Sequence, residues 1–247
     1  MNASDRIRSM PPSGSMLVRD VELRAFSGGG PPESTESMIF VQKPPLMLKF
    51  IEEAISRTNP RRMVEIGVSQ GGSAIYWENR FDLERLTLID AAPAAPHLEQ
   101  YIKRHRIDHV RPHFGVSQDN VSRLRAIIDS DFGVELIDVV IDDASHQYAE
   151  TLASFECLFP RVKPGGIYII EDWSWGHAAS WNPEWWADRP LMSPLITEIM
   201  LACAYGDAII FHVDVFGPYA IVERGTGKIN EGFKLKDHYV RRNFVLP

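Results

Sequence analysis

The sequence lacks the features that mark secreted, membrane-spanning and cysteine-rich proteins. Only two cysteines, Cys157 and Cys203, occur in 247 residues, which excludes a disulfide framework and a cysteine metal motif. No apolar run reaches the length of a membrane span, and the opening stretch MNASDRIRSMPPSGSM has no signal-peptide core. We therefore expect a cytoplasmic protein without a membrane partner.

The chain also lacks a dense run of lysine and arginine. Its formal net charge is −7, which argues against non-specific binding to nucleic acid. The composition is otherwise ordinary for a globular protein, with 45% hydrophobic and 24% charged residues. The length fits one α/β domain with extensions.

Apolar strands and helices alternate along the chain from about residue 60. Five such alternations predict a parallel sheet covered by helices on both faces. The last two strands, AIIFHVDVF and YAIVER, are joined only by Gly217 and Pro218, so they must be antiparallel. This order predicts a Rossmann-like α/β fold of the class I methyltransferase type, with a mostly parallel seven-stranded sheet and a C-terminal antiparallel hairpin.

The pattern also predicts how the chain is divided. Residues 1–36 are rich in Pro, Gly and Ser and are interpreted as a flexible N-terminal arm. Residues 37–247 are expected to form a single domain, with a tryptophan-rich lid insertion at about 173–190. The stretch KPGG at 163–166 predicts a turn before the fifth strand.

The stretch VEIGVSQGG, residues 64–72, admits two interpretations. It contains the G-x-S-x-G pattern of a hydrolase nucleophile elbow, with Ser69 as the nucleophile. It also fits a glycine-rich turn between a strand and a helix that holds a nucleotide cofactor. The second interpretation is favoured, because the loop follows the first strand of the alternating region and no HGGG-type oxyanion loop is present. A plain turn remains a third possibility.

An acidic residue at the end of the next strand supports the cofactor interpretation. Asp90 follows the loop at the spacing from which Rossmann-like sites bind ribose hydroxyls. Glu65 beside the loop suits the cationic S-adenosylmethionine better than a pyrophosphate, although a buried, hydrogen-bonded carboxylate is the alternative. Gln118 and Asp119 stand where an adenine edge is often bound, although Asp119 could instead cap its helix. The predicted cofactor-binding residues are Glu65, Gly67, Ser69, Gly71, Gly72, Asp90, Gln118, Asp119 and Asp142.

Acidic residues follow two further strands. Asp142, Asp143 and His146 end the fourth strand, and Glu171 and Asp172 end the fifth. In a parallel sheet such strand ends share one edge, where clustered carboxylates need a cation or several protons. Oxygen ligands favour Mg²⁺, with Ca²⁺ or Mn²⁺ as alternatives. Two alternatives remain open. Asp142 and Asp143 could cap the following helix, and Glu171 and Asp172 could lie at a solvated strand end.

The motifs IDDASH and KPGGIYIIEDW together carry a family resemblance. They resemble the magnesium-dependent sugar O-methyltransferases of actinobacterial macrolide pathways, of the mycinamicin and tylosin type, over residues 60–224. This resemblance implies that Asp143, Glu171 and Asp172 bind Mg²⁺ and that His146 is the catalytic base. It gives Asp142 no clear role.

The function that the resemblance implies is methyl transfer from S-adenosylmethionine to a sugar hydroxyl of a natural product or polysaccharide. The alternatives are a catechol or phenol O-methyltransferase, a hydroxylase and a non-catalytic carbohydrate-binding protein. Tryptophans at 173, 175, 181, 185 and 186 suit a sugar or glycoside acceptor, because flat aromatic faces pack on pyranose rings, although a hydrophobic lid or a subunit contact explains them equally well. A homodimer is also expected.

Overall fold

The structure is a computed structural model that describes residues 8–28, 30, 32–178, 184 and 188–240. The chain divides into two compact units, Met1–Val116 and Ser117–Pro247. Within the described residues, no helix has both the length and the apolarity needed to span a membrane.

The first unit contains six strands and three helices. The strands are β1 (Ser15–Val18), β2 (Val21–Ala25), β3 (Met38–Val41), β4 (Arg62–Ile66), β5 (Arg85–Asp90) and β6 (Val110–Phe114). The helices are α1 (Pro45–Arg57), α2 (Gly72–Arg80) and α3 (Pro96–His105). Strand β5 pairs in parallel with β4 on one side and with β6 on the other, as the sequence predicts for this part of the sheet.

Part of the segment predicted as a flexible arm is instead regular structure. Strands β1 and β2 form an antiparallel pair, and β2 pairs in parallel with β3. The reason is hydrophobic burial, since Val18, Val21 and Leu23 have no solvent-exposed surface. Residues 1–7, 29 and 31 of the predicted arm lie outside the described residues.

The described part of the second unit includes four strands and three longer α-helices. The strands are β7 (Ile137–Asp142), β8 (Val162–Ile170), β9 (Ile210–Phe216) and β10 (Tyr219–Arg224). The helices are α4 (Val121–Phe132), α5 (Tyr148–Leu158) and α6 (Ser193–Tyr205). Strands β7 and β8 are parallel, and β10 pairs antiparallel with both β8 and β9. The predicted C-terminal antiparallel hairpin is confirmed.

The stretch predicted as a turn before the fifth strand lies inside β8 as an irregularity. Ile137 pairs with Val162 and Val139 pairs with Ile167, so the KPGG residues face a single residue of β7. Gly165 within this stretch has a φ of +77°, a conformation that favours glycine. The turn prediction is wrong about where the strand begins, because the chain makes a bulge here without leaving the sheet.

Candidate functional site

The loop between β4 and α2 has the backbone conformation of a tight strand-to-helix turn. Gly67, Ser69 and Gly71 all have positive φ, at +86°, +49° and +90°. A positive φ is ordinary for glycine and uncommon for serine. The glycine-rich sequence therefore reflects the backbone path of the loop.

The two glycines at the start of α2 are required by close packing. A Cβ at Gly71 would lie 2.5 Å from the side chain of Leu98, and a Cβ at Gly72 would lie 2.1 Å from the backbone oxygen of Phe40. Both distances are too short for any larger residue without a shift of its neighbours. This close approach of helix to strand is one role of the third glycine in Rossmann-like loops.

Asp90 at the end of β5 holds the glycine-rich loop in place. One carboxylate oxygen accepts hydrogen bonds from the backbone N–H of Val68 at 2.6 Å and of Ser69 at 2.9 Å. The other oxygen accepts from the N–H of Ala92 at 2.7 Å. A carboxylate accepts about four hydrogen bonds, so this one retains capacity for a ligand hydroxyl.

The loop is also tied to the segment that precedes β3. The side chain of Gln70 accepts a hydrogen bond from the backbone N–H of Ser34 at 2.6 Å and donates one to the carbonyl of Pro32 at 3.0 Å. The sequence analysis assigned no role to Gln70. The contact places residues 32–34 of the predicted arm beside the predicted cofactor loop.

Glu65 lies in β4 with none of its surface exposed. Its carboxylate is therefore fully buried, and its role in cofactor binding stays a prediction.

Asp142 ends β7 inside a buried polar network. Its carboxylate accepts hydrogen bonds from Gln118 Nε2, Ser154 Oγ and Tyr168 Oη, each at 2.6 Å. Burial raises the pKa of Asp142 to about 6, while these three hydrogen bonds lower it. Asp142 and Gln118 were both predicted to bind cofactor, and in this structure they bind each other.

The same network fixes the loop between β7 and α5. The side-chain oxygen of Gln118 accepts hydrogen bonds from Ser145 Oγ at 2.7 Å and from the Ser145 backbone N–H at 3.1 Å. Ser145 Oγ in turn accepts from the N–H of Gln147 at 3.2 Å. Gln118 thus connects the buried Asp142 to the loop that carries Asp143 and His146.

Three of the predicted site residues come together at the ends of β7 and β8. Asp143, His146 and Asp172 each offer one ligand atom, and these three atoms lie within 4.8 Å of one another. All three side chains are partly exposed, which leaves the cluster accessible. His146 and Asp172 both have a φ of +55°, an uncommon conformation for these residues that is often found at functional sites.

The surroundings of His146 orient its ring. Nδ1 lies 3.4 Å from the backbone oxygen of Glu171, and Nε2 lies 3.9 Å from a carboxylate oxygen of Asp143. The ring packs against Trp175, with centroids 4.4 Å apart and an interplanar angle of 48°. Because a carbonyl oxygen can only accept, this contact assigns the proton of the neutral ring to Nδ1.

The remaining predicted residues lie outside this group of three. The side chain of Glu171 is buried, at 2% exposure, and its backbone N–H donates to the carbonyl of Asp142 at 2.9 Å. Asp119 is exposed and accepts from Ser117 Oγ, while the residue that caps α4 is Asn120. Trp181, Trp185 and Trp186 of the predicted lid lie outside the described residues.

The sequence does not predict the polar residues that hydrogen-bond in the buried network beside the site. Ser145, Ser154 and Tyr168 belong to the network around Asp142, and none was singled out. A signal was present for Tyr168, because its hydroxyl stands in an otherwise apolar strand, IYII, and a buried hydroxyl needs a partner.

Comparison with known proteins agrees with the fold and with the motifs. Residues 64–173 match a family described as "Methyltransferase domain". The chain is 28% identical over 192 residues to 8-demethyl-8-(2-methoxy-alpha-L-rhamnosyl)-tetracenomycin-C 3'-O-methyltransferase of Streptomyces olivaceus, covering 68% of this chain and 46% of that protein. It is 31% identical over 123 residues to Mycinamicin VI 2''-O-methyltransferase of Micromonospora griseorubida, covering 47% of this chain and 28% of that protein.

A solved methyltransferase structure is also similar to this chain. The methyltransferase MycE from the mycinamycin biosynthetic pathway, in complex with Mg, SAH and mycinamycin VI, superimposes with a TM-score of 0.56 at 26% identity. The match covers 77% of this chain and 53% of that one. The predicted Rossmann-like methyltransferase fold and the resemblance to actinobacterial sugar O-methyltransferases are confirmed. The chain matches about half or less of the length of each of these relatives.

Proposed function

We propose that this chain, whose residues 64–173 match a methyltransferase domain, transfers the methyl group of S-adenosylmethionine to a sugar hydroxyl in a reaction that requires Mg²⁺. The observation that carries the proposal is the convergence of Asp143, His146 and Asp172 at the ends of β7 and β8. Relatives that methylate rhamnosyl and macrolide compounds support the acceptor class.

The donor set of the cluster fits a hard divalent cation. Two carboxylates supply the oxygen ligands that Mg²⁺, Ca²⁺ and Mn²⁺ prefer, and an imidazole nitrogen is better suited to Mn²⁺ than to Mg²⁺. Asp143 and Asp172 are proposed to hold the ion, and Glu171 remains the predicted third ligand. A bound divalent cation supplies positive charge that stabilises the negative charge developing on an acceptor hydroxyl.

His146 is proposed to be the catalytic base. With the proton of the neutral ring on Nδ1, the lone pair is on Nε2, and this nitrogen can take the proton of an acceptor hydroxyl. The contact between Nδ1 and the Glu171 carbonyl, at 3.4 Å, orients the ring for this role. Trp175, packed on the same ring, presents an aromatic surface suited to a sugar.

The glycine-rich loop and Asp90 are proposed to hold S-adenosylmethionine. Asp90 already orders the loop backbone through Val68 and Ser69, and its remaining acceptor capacity suits a ribose hydroxyl. The other residues predicted for this role are Glu65, Gly67, Gly71, Gly72, Gln118, Asp119 and Asp142. Of these, Gln118 is proposed to position the loop that carries Asp143 and His146 instead.

The acceptor, the assembly and the location complete the proposal. The acceptor is a small-molecule sugar or glycoside, the protein acts as a homodimer, and its location is the cytoplasm.

A methyl-transfer screen tests the proposal. Purified protein is incubated with labelled S-adenosylmethionine and a panel of rhamnosides, deoxysugar glycosides, mannosides and catechols. Each reaction is run with EDTA, and again with EDTA followed by excess Mg²⁺. We expect labelled glycoside, loss of labelling with EDTA and recovery with Mg²⁺. If only catechols are labelled, the acceptor is a catechol and not a sugar. Sugar binding without any binding of S-adenosylmethionine would establish a carbohydrate-binding protein.

A further inference from the structure

Strand β9 is an edge strand in which Asp214 is the one acidic residue. It is the last strand in the order of its unit, and its described pairing is with β10 alone. Edge strands are normally short, charged or interrupted by proline, because a free edge can pair with another chain. The seven residues IFHVDVF of β9 contain neither lysine nor proline.

The surface around this edge is apolar. Phe211 is 69% exposed and Val215 is 41% exposed. Helix α6 contacts β9 and adds three exposed apolar side chains, Met200, Leu201 and Tyr205. Clustered exposed apolar residues of this kind mark interaction sites.

The hairpin geometry determines which backbone groups of β9 face outward. Gly217, with a φ of +52°, and Pro218 form a two-residue turn, so the flanking pair Phe216 and Tyr219 exchanges both hydrogen bonds. Hydrogen-bonded and non-hydrogen-bonded pairs alternate from there along the ladder. The N–H and C=O groups of residues 211, 213 and 215 therefore point away from β10, and the Phe211 carbonyl also accepts a hydrogen bond from Cys203 Sγ of α6 at 3.7 Å.

These outward groups allow only certain pairings of β9 with a second copy of itself. An antiparallel pairing centred on Val213 places Phe211 opposite Val215, and His212 opposite Asp214. A shift by two residues in either direction, which keeps the outward groups aligned, places His212 opposite His212 or Asp214 opposite Asp214. Two carboxylates opposite each other destabilise a sheet, whereas a histidine opposite an aspartate can donate a hydrogen bond to its carboxylate. The register centred on Val213 is therefore the one that the side chains favour.

We propose that β9 pairs with β9 of a second copy of this chain, antiparallel and centred on Val213, to form a two-fold symmetric dimer. The exposed apolar residues of α6 flank this strand pair and extend the interface. The arrangement is isologous, so the same surface of both copies is covered and the β9 edge of each copy is paired. The proposal concerns assembly alone and does not depend on the proposed methyl transfer.

Sedimentation velocity on the full chain, over a range of protein concentrations, tests this interface. The wild type is expected to dimerise. His212→Asp places carboxylates opposite each other at both ends of the pair and should raise the dimer dissociation constant by about tenfold or more. The double variant His212→Asp/Asp214→His again places a histidine opposite an aspartate and should restore the dimer.

The double variant also controls for effects within one chain. His212 lies across from Glu223 of its own hairpin, so a new aspartate at this position weakens the hairpin in both variants equally. Phe211→Asp should dissociate the dimer, whereas Val134→Asp, at a residue 96% exposed elsewhere in the unit, should not. A monomeric wild type, or a dimer insensitive to His212→Asp and Phe211→Asp, would overturn the proposal.

Discussion

The imidazole of His146 has the most specific proposed role among the residues of the site. If Nε2 accepts the proton of the acceptor hydroxyl, His146→Ala should lower kcat by about 100-fold or more, because removal of a general base typically costs that much. The affinity for S-adenosylmethionine, measured by calorimetry, should not change. His105→Ala is a matched control, since His105 pairs with Asp20 at 2.7 Å in the first unit. Wild-type turnover of the His146 variant would remove this residue from the mechanism.

The carboxylate of Asp172 is expected to act through the divalent ion. Asp172→Asn should raise the Mg²⁺ concentration for half-maximal activity by about tenfold or more, because even outer-shell partners of a metal are worth about 10–100-fold in affinity. The measurement is initial rate against free Mg²⁺. Asp129→Asn, at a carboxylate that is 63% exposed and paired with Arg161, provides the matched control. Unaltered Mg²⁺ dependence would exclude Asp172 as a ligand.

At the scale of secondary-structure elements, the start of α2 leaves no room for a side chain at Gly72. Gly72→Ala would place a Cβ 2.1 Å from the backbone oxygen of Phe40, so helix and strand must separate. We expect a loss of about 1–3 kcal/mol in the free energy of unfolding, measured in urea. Ser73→Ala, at the next residue of the same helix, adds no atom and should change stability less. Equal stability of the two variants would contradict this packing.

Gln118 connects two elements, the end of β7 and the start of α5. Gln118→Leu removes the partner of Asp142 and Ser145 and should cost about 1–3 kcal/mol in stability. If Gln118 positions the loop of Asp143 and His146, the apparent affinity for Mg²⁺ should fall more than that for S-adenosylmethionine.

A comparison variant separates this positioning role from general destabilisation. Tyr168→Phe removes one hydroxyl hydrogen bond from Asp142 and leaves the bond between Gln118 and Ser145 in place. It should reduce stability without altering Mg²⁺ dependence. If Gln118→Leu instead weakens binding of S-adenosylmethionine selectively, Gln118 contacts the cofactor, as the sequence analysis predicted.

Elements with a strong local pattern could be predicted from the sequence. The strand that Asp90 is predicted to end is β5, which ends at Asp90, and the hairpin follows from its two-residue turn. Strands β1 and β2 were missed because they have four and five residues, and their burial depends partly on pairing with the distant β3. Short strands of this kind have too little periodic pattern to be distinguished from a loop.

The site was predicted only to the level of its segments. The sequence places two acidic residues at the end of the fourth strand, and successive side chains of a strand point to opposite faces. It does not indicate which of the two is buried. In the structure Asp142 turns inward to Gln118, Ser154 and Tyr168, and Asp143 joins the exposed cluster. Glu171 and Asp172 divide in the same way, with Glu171 buried.

At the scale of the whole molecule, the N-terminal segment should be required for folding of the first unit. Deletion of residues 1–36 removes β1 and β2, including the fully buried Val18, Val21 and Leu23. Each such side chain contributes about 1.5–3 kcal/mol, so the deletion should lower the thermal unfolding temperature markedly. Circular dichroism during heating measures it. An unchanged unfolding temperature would mean that this segment is dispensable for stability.

The central claim, that Asp143 and Asp172 hold one divalent cation in a methyltransferase, is tested most directly by a crystal structure determined with Mg²⁺ and S-adenosylhomocysteine. The account predicts one ion at about 2.0–2.1 Å from a carboxylate oxygen of each aspartate. It also predicts S-adenosylhomocysteine bound at the glycine-rich loop. The contrary result is a structure with S-adenosylhomocysteine bound, the two carboxylates turned away from each other and no ion between them.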